Sequence, residues 1–152
     1  YSQRLIQAGV DPLIIARRLI AHCSEDIGMA DSNALLLATS AMYAIEKMGA
    51  PEGLIPLSHA IIYACEAEKS NSVIRAMQAA EKDAIETRDD NIPAHLKNHP
   101  DINNPNARYK YPHDFGGYVK QQYLPNSLKN RVYYVPSQNG REKNLKRNEK
   151  SS

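Results

Sequence analysis

Leu13, Ala16, Ile20, Cys23 and Ile27 recur at intervals of three and four, the spacing that lays apolar side chains along one face of an α-helix. A helix is therefore predicted from Pro12, with Asp11 as its N-cap and Pro12 at the first position, where a missing N–H costs nothing. Residues 1–8 read as the end of a preceding helix stopped by Gly9. Gly28 is placed to close the second helix in a left-handed cap, and Asp31 to accept the first free N–H groups of the next. That helix, about 32–48, is apolar on most of its circumference, with Ala34, Leu37, Ala38, Ala41, Met42, Ala44, Ile45 and Met48. It is expected to be the central, most buried element. After the turn "GAPEG" (49–53), a helix starting near Ile55, or kinked at Pro56, buries Leu57, Ile61, Ala64 and Cys65. Ser70 or Asn71 caps the last one, whose stripe is Val73, Met77, Ala80 and Ala84.

Beyond Asn91 the helical period disappears. Prolines at 93, 100, 105, 112, 125 and 136 favour an extended chain with short turns or helices. Tyr109, Tyr111, Phe115, Tyr118, Tyr123, Tyr133 and Tyr134 are too many rings for a disordered linker. The expected class is mainly α: about five helices over residues 1–90, an ordered tyrosine- and proline-rich arm over 91–137 packed on them, and a flexible basic tail over 138–152. The first residue is Tyr1, not methionine, so the chain is read as part of a longer polypeptide. No run of 18 apolar residues and no signal-peptide order occurs, so a soluble cytoplasmic protein without membrane contact is expected.

Charge sharpens this division. Residues 1–90 hold 8 Lys and Arg against 13 Asp and Glu, a net of −5; residues 91–152 hold 11 against 4, a net of +7. Basic residues alternate with rings in "RYKY" (108–111), "YVKQQY" (118–123) and "KNRVYY" (129–134), the composition of a single-strand stacking surface. Arg108, Tyr109, Lys110, Tyr111, Lys120, Lys129 and Arg131 are the candidate nucleic-acid contacts. The plainer reading, adopted for the arm, turns the tyrosines inward as anchors.

Other chemistry finds little support. Cys23 and Cys65 sit in apolar helical patterns and read as buried thiols. His95 and His99 have i, i+4 spacing, but Leu96 stands where a zincin needs glutamate. No glycine begins a P-loop or dinucleotide fingerprint, and no G-x-S-x-G occurs, so no catalytic, cofactor or metal residue is assigned. The stretch "SEDIGMAD" (24–31) remains: negative charge at a helix C-terminus opposes the helix dipole. Glu25 and Asp26 are left to pair with an arginine, cap a neighbouring helix or hold a cation, and the calcium-loop pattern is absent. Ser24, Glu25, Asp26, Gly28 and Asp31 are assigned to a structural corner or an interface.

"SEDIGMAD", "AIIYACEAEKSN" (60–71), "IPAHL" (92–96), "YKYPHDF" (109–115), "YLP" (123–125) and "RVYYVPSQNGRE" (131–142), in that order, resemble the C-terminal part of the RarA (MgsA) family of clamp-loader-like AAA+ ATPases, which includes the Werner helicase-interacting ATPase. The resemblance implies a collar-like helical domain that forms homotetramers. It implies a parent DNA-dependent ATPase of recombination and replication-fork maintenance, with its ATP and Mg site upstream, working on DNA with single-stranded-DNA-binding protein. Ser24, Glu25, Asp26 and Gly28 match the family's acidic corner. The expected function is a non-catalytic oligomerisation domain; the alternative is a single-stranded nucleic-acid-binding module built on the arm.

Overall fold

The computed structural model describes residues 1–87, 91–99, 101 and 103–145. Five α-helices carry the fold: α1 Ser2–Gln7, α2 Pro12–His22, α3 Asn33–Met48, α4 Leu54–Glu66 and α5 Ser72–Glu86. Short 3₁₀ turns follow at Ala94–Leu96, Pro105–Ala107, Pro112–Phe115, Asn126–Leu128 and Gly140–Asn144, and no strand occurs among the described residues. The mainly helical class and the five helices are as expected. The chain divides into two compact units, residues 1–78 with 134–145, and residues 79–133.

In the first unit α3 lies against both α2 and α4. Their shared core is Ala16, Leu19, Cys23, Ile27, Ala34, Ala38, Ala41, Ile45, Leu57, Ala60 and Ala64. Six of these eleven are alanines, so the helices approach closely around a thin core and longer side chains are displaced outward. This corrects the expectation for α3: it is central, but Leu36, Tyr43 and Met48 are exposed. Cys65 is also exposed, not buried, because Ala64 takes the inward position of that turn.

Helix starts follow local chemistry. Asp11 Oδ1 accepts from the Leu13 N–H at 2.9 Å with Pro12 at the first position, as predicted. Pro56 falls in the first turn of α4, where it displaces no hydrogen bond. At the far end of α4 the Lys69 ammonium donates to the Ala64 carbonyl at 2.9 Å, satisfying a C-terminal carbonyl with a cation.

Helix α5 departs from its predicted stripe. Val73, Met77 and Ala84 are exposed, and the buried positions are the polar Ser72 and Asp83. Each is inward because a polar partner waits for it. Residues 138–145, assigned from composition to a flexible tail, instead form a turn with Glu142 buried; the remainder of that tail, 146–152, lies outside the described residues.

Candidate functional site

Helix α2 stops at His22, and Cys23–Ile27 widens into one π-turn, which keeps Cys23 and Ile27 facing the core. Burial pushes the Cys23 thiol up, the opposite of what a nucleophile needs. Asp26 is compensated inside its own turn, since the His22 Nδ1 lies 2.7 Å from Asp26 Oδ2. Ser24 is half-buried, and Glu25 is exposed with no ion pair to any described residue. Gly28 has φ +49° and ψ −126°, the mirror image of the extended region and not the left-handed helical cap predicted.

The reason lies in what the corner receives. The Ser70 N–H donates to the Asp26 carbonyl at 2.7 Å, and a Cβ on Gly28 would stand 3.1 Å from the Ser70 carbonyl oxygen and 3.3 Å from Val73 Cγ2. Gly140 approaches from another side: a Cβ there would be 2.3 Å from the Ala30 carbonyl oxygen. Asp31 works on two fronts, accepting from the Asn33 N–H at 3.1 Å and from the Tyr63 hydroxyl at 2.8 Å. That bond to the carboxylate raises the Tyr63 phenol above its ordinary value. Residues 24–31 are thus a floor on which the start of α5 and the segment 134–145 both land. Gly28→Ala is expected to cost about 1–3 kcal/mol, seen as a lower urea midpoint with unchanged slope.

The landing is locked by a carboxylate that the pattern analysis missed. Glu142, 1% exposed, accepts from the Tyr134 hydroxyl at 2.7 Å, the Ser137 N–H at 3.1 Å, the Ser137 hydroxyl at 2.5 Å and the Ser72 hydroxyl. Burial works against the charge, but hydrogen bonds from Ser137, Ser70, Ser72 and Tyr134 outweigh it and hold the carboxyl at about 2. In return burial and the Glu142 carboxylate push the Tyr134 phenol up to about 12, so the hydroxyl stays a donor. Asn139 Nδ2 donates to the Lys69 carbonyl at 2.8 Å and the Gly140 N–H to Glu68 Oε2 at 2.7 Å. The available signal was the end of "RVYYVPSQNGRE", where one acid follows serine, asparagine and glycine. An open cleft of about 590 Å³ flanks the junction, with His22, Asp26, Lys69, Asn71 and Asn139 on its walls.

In the second unit Arg131 does not project as a free phosphate contact. Its Nη2 and Nε lie 2.8 Å from Oδ1 and Oδ2 of Asp83, a fork matched to a carboxylate. Tyr133, beside this pair, has its phenol raised by burial and by its bond to Asp83. The inward-anchor expectation fails for most rings: Tyr109, Tyr111, Phe115, Tyr118 and Tyr123 are exposed, whereas Tyr133 is half-buried and Tyr134, with its ring partly exposed, is anchored through its hydroxyl on Glu142. Lys120 and Lys129 are exposed. Arg108, Tyr109, Lys110 and Tyr111 share a cleft of about 340 Å³ with Asp114 and Phe115. His95 donates from Nε2 to the Gln122 carbonyl at 2.7 Å, which occupies the nitrogen on that side of the ring. Among the described residues no three His, Cys, Asp or Glu side chains gather as metal ligands, and no helix is long and apolar enough to cross a membrane.

Comparison with known proteins gives one consistent result. The family described as MgsA AAA+ ATPase C terminal matches residues 1–152. The chain is 43% identical over 150 residues to an uncharacterized protein of Thermotoga maritima, covering 95% of this chain and 24% of that one. It is 42% identical over 149 residues to Replication-associated recombination protein A of Bacillus subtilis, covering 93% and 34%. The protein of that same name from Coxiella burnetii is 38% identical over 152 residues, covering 96% and 34%. The chain therefore spans 24% to 34% of the length of these relatives.

Proposed function

Because the chain belongs to the MgsA AAA+ ATPase C-terminal family, we propose that it is the self-associating, non-catalytic module of a larger ATPase acting in replication-associated recombination. The observation that carries this reading is a set of apolar side chains turned outward at helical spacing. Leu36 and Tyr43 on α3 are 64% and 61% exposed, and Ile55 and Ile62 on α4 are 73% and 64% exposed. Residues seven apart lie on one helical face, and large side chains so placed gain most when a second copy covers them. Closed symmetry is the usual way to bury such a surface, and four copies is the number proposed.

The mechanism is avidity. Joining protomers through this module raises the effective concentration of their ATPase parts on one DNA substrate. ATP and Mg would act in the remainder of the parent protein, which is proposed to be cytoplasmic and to work with DNA and single-stranded-DNA-binding protein. Within the corner, Asp26 is occupied by His22, so Glu25 is the acid left for a contact with another copy.

Light scattering at micromolar concentration is expected to give a multiple of 17.0 kDa, four in the proposed assembly. Leu36→Glu combined with Ile62→Glu is expected to return the mass to that of one chain while circular dichroism keeps its helical signal. A monomer at every concentration would overturn the reading.

A further inference from the structure

The backbone at Arg108 and at Tyr111 is extended. All four residues of "RYKY" line one cleft, so that two rings and two cations share a single surface. Tyr109 and Tyr111 are 43% and 54% exposed, and Phe115 on the same cleft 55%. Among the described residues neither Arg108 nor Lys110 is in an ion pair. Among the described residues Asp114 is the one acid lining the cleft.

The segment is braced. Gln121 accepts from the Lys110 N–H at 3.2 Å and donates back to the Lys110 carbonyl at 2.8 Å, imitating a strand partner. The same amide nitrogen lies 2.9 Å from the Tyr123 hydroxyl. On the other flank the His113 ring stands 5.0 Å from Tyr111, centroid to centroid. Rings held in place before binding lose little entropy on binding. Exposed, pre-set aromatic faces alternating with cations suit unpaired bases, which offer a flat face to stack and a phosphate for each nucleotide. A duplex offers its phosphates but keeps its base faces stacked on one another.

We propose that the cleft at residues 108–115 is a binding platform for single-stranded nucleic acid, with bases stacking on Tyr109 and Tyr111 and phosphates meeting Arg108 and Lys110. The platform residues belong to the second unit, and those of the outward face of α3 and α4 to the first. The region is suited to it by charge as well, since residues 91–152 carry a net +7.

The test is a fluorescence-anisotropy titration of a labelled oligothymidylate with the full 152-residue chain. Saturable binding is expected, weakened about fivefold or more by Tyr109→Ala or Tyr111→Ala, as loss of one stacked base requires. Tyr111→Phe, which keeps the ring, should bind as the unmodified chain does. Arg108→Ala and Lys110→Ala should each lower the slope of log affinity against log salt by about 0.7. Three results would overturn the proposal: no binding at low salt, alanine variants of both tyrosines that bind normally, or a duplex or polyglutamate competing as well as the single strand. The last would mean that the surface reads charge alone.

Discussion

Glu142→Gln is expected to destabilise the chain by about 3 kcal/mol at neutral pH, and the loss should fade in acid. The carboxyl is held at about 2 against an ordinary 4.5. A depressed carboxyl contributes stability that is complete above its unfolded value and is lost as pH falls from there through its folded value, here from about 4.5 to about 2. Each pH unit of such a shift is worth about 1.4 kcal/mol, which sets the size. Glutamine preserves the shape, but its NH₂ cannot accept from the Ser137 N–H and the surrounding hydroxyls as the second carboxylate oxygen does. Urea unfolding at pH 7 and at pH 3 measures the difference. If the curves for the two proteins stay parallel across that window, Glu142 is not ionised in the fold and the account of the junction is wrong.

Arg131→Ala should cost a similar amount, about 3 kcal/mol, the lower end of what is lost when a buried carboxylate is stripped of its partner. The lower end applies because Asp83 is almost fully enclosed, with its side chain 6% exposed, while the Arg131 side chain is 58% exposed and reaches water. The penalty lies in the acid left behind, so it should be asymmetric: adding Asp83→Ala to Arg131→Ala is expected to restore at least half of the loss. Arg131→Lys should fall short of the native protein, since an ammonium cannot make both bonds of the fork. A double-mutant cycle by chemical denaturation gives the coupling. Additive single losses would show that the pair contributes nothing and would free Arg131 for the phosphate role that its setting beside Tyr133 first suggested.

Sequence reasoning read some features well, and these share a cause. Asp11, Pro12, Asp31 and the recurrence of Ala16, Cys23 and Ile27 act within a turn or two of their own position, where cap chemistry and helical period leave few alternatives. Gly28 shows the boundary. Its need for a positive φ was visible, but the conformation it adopts is set by Ser70 and Val73, more than forty positions away in the chain. The same holds for α5, whose apolar stripe pointed to a buried face that the fold leaves open.

The sequence by itself determined the five helices, the caps at Asp11 and Asp31, the division between an acidic helical part and a basic aromatic part, and, through its ordered segments, the family. Only the tertiary structure decided which charges are paired within the chain and which stay exposed. Asp26 turns to His22, Asp83 to Arg131, and Glu142 to Ser72, Ser137 and Tyr134, while Glu25, Arg108 and Lys110 stay exposed. The tertiary structure likewise decided that an alanine-lined core would leave Leu36, Tyr43, Ile55 and Ile62 outside. Composition and period describe one segment at a time, but burying a carboxylate depends on donors gathered from distant segments. Those donors meet only when the chain has folded.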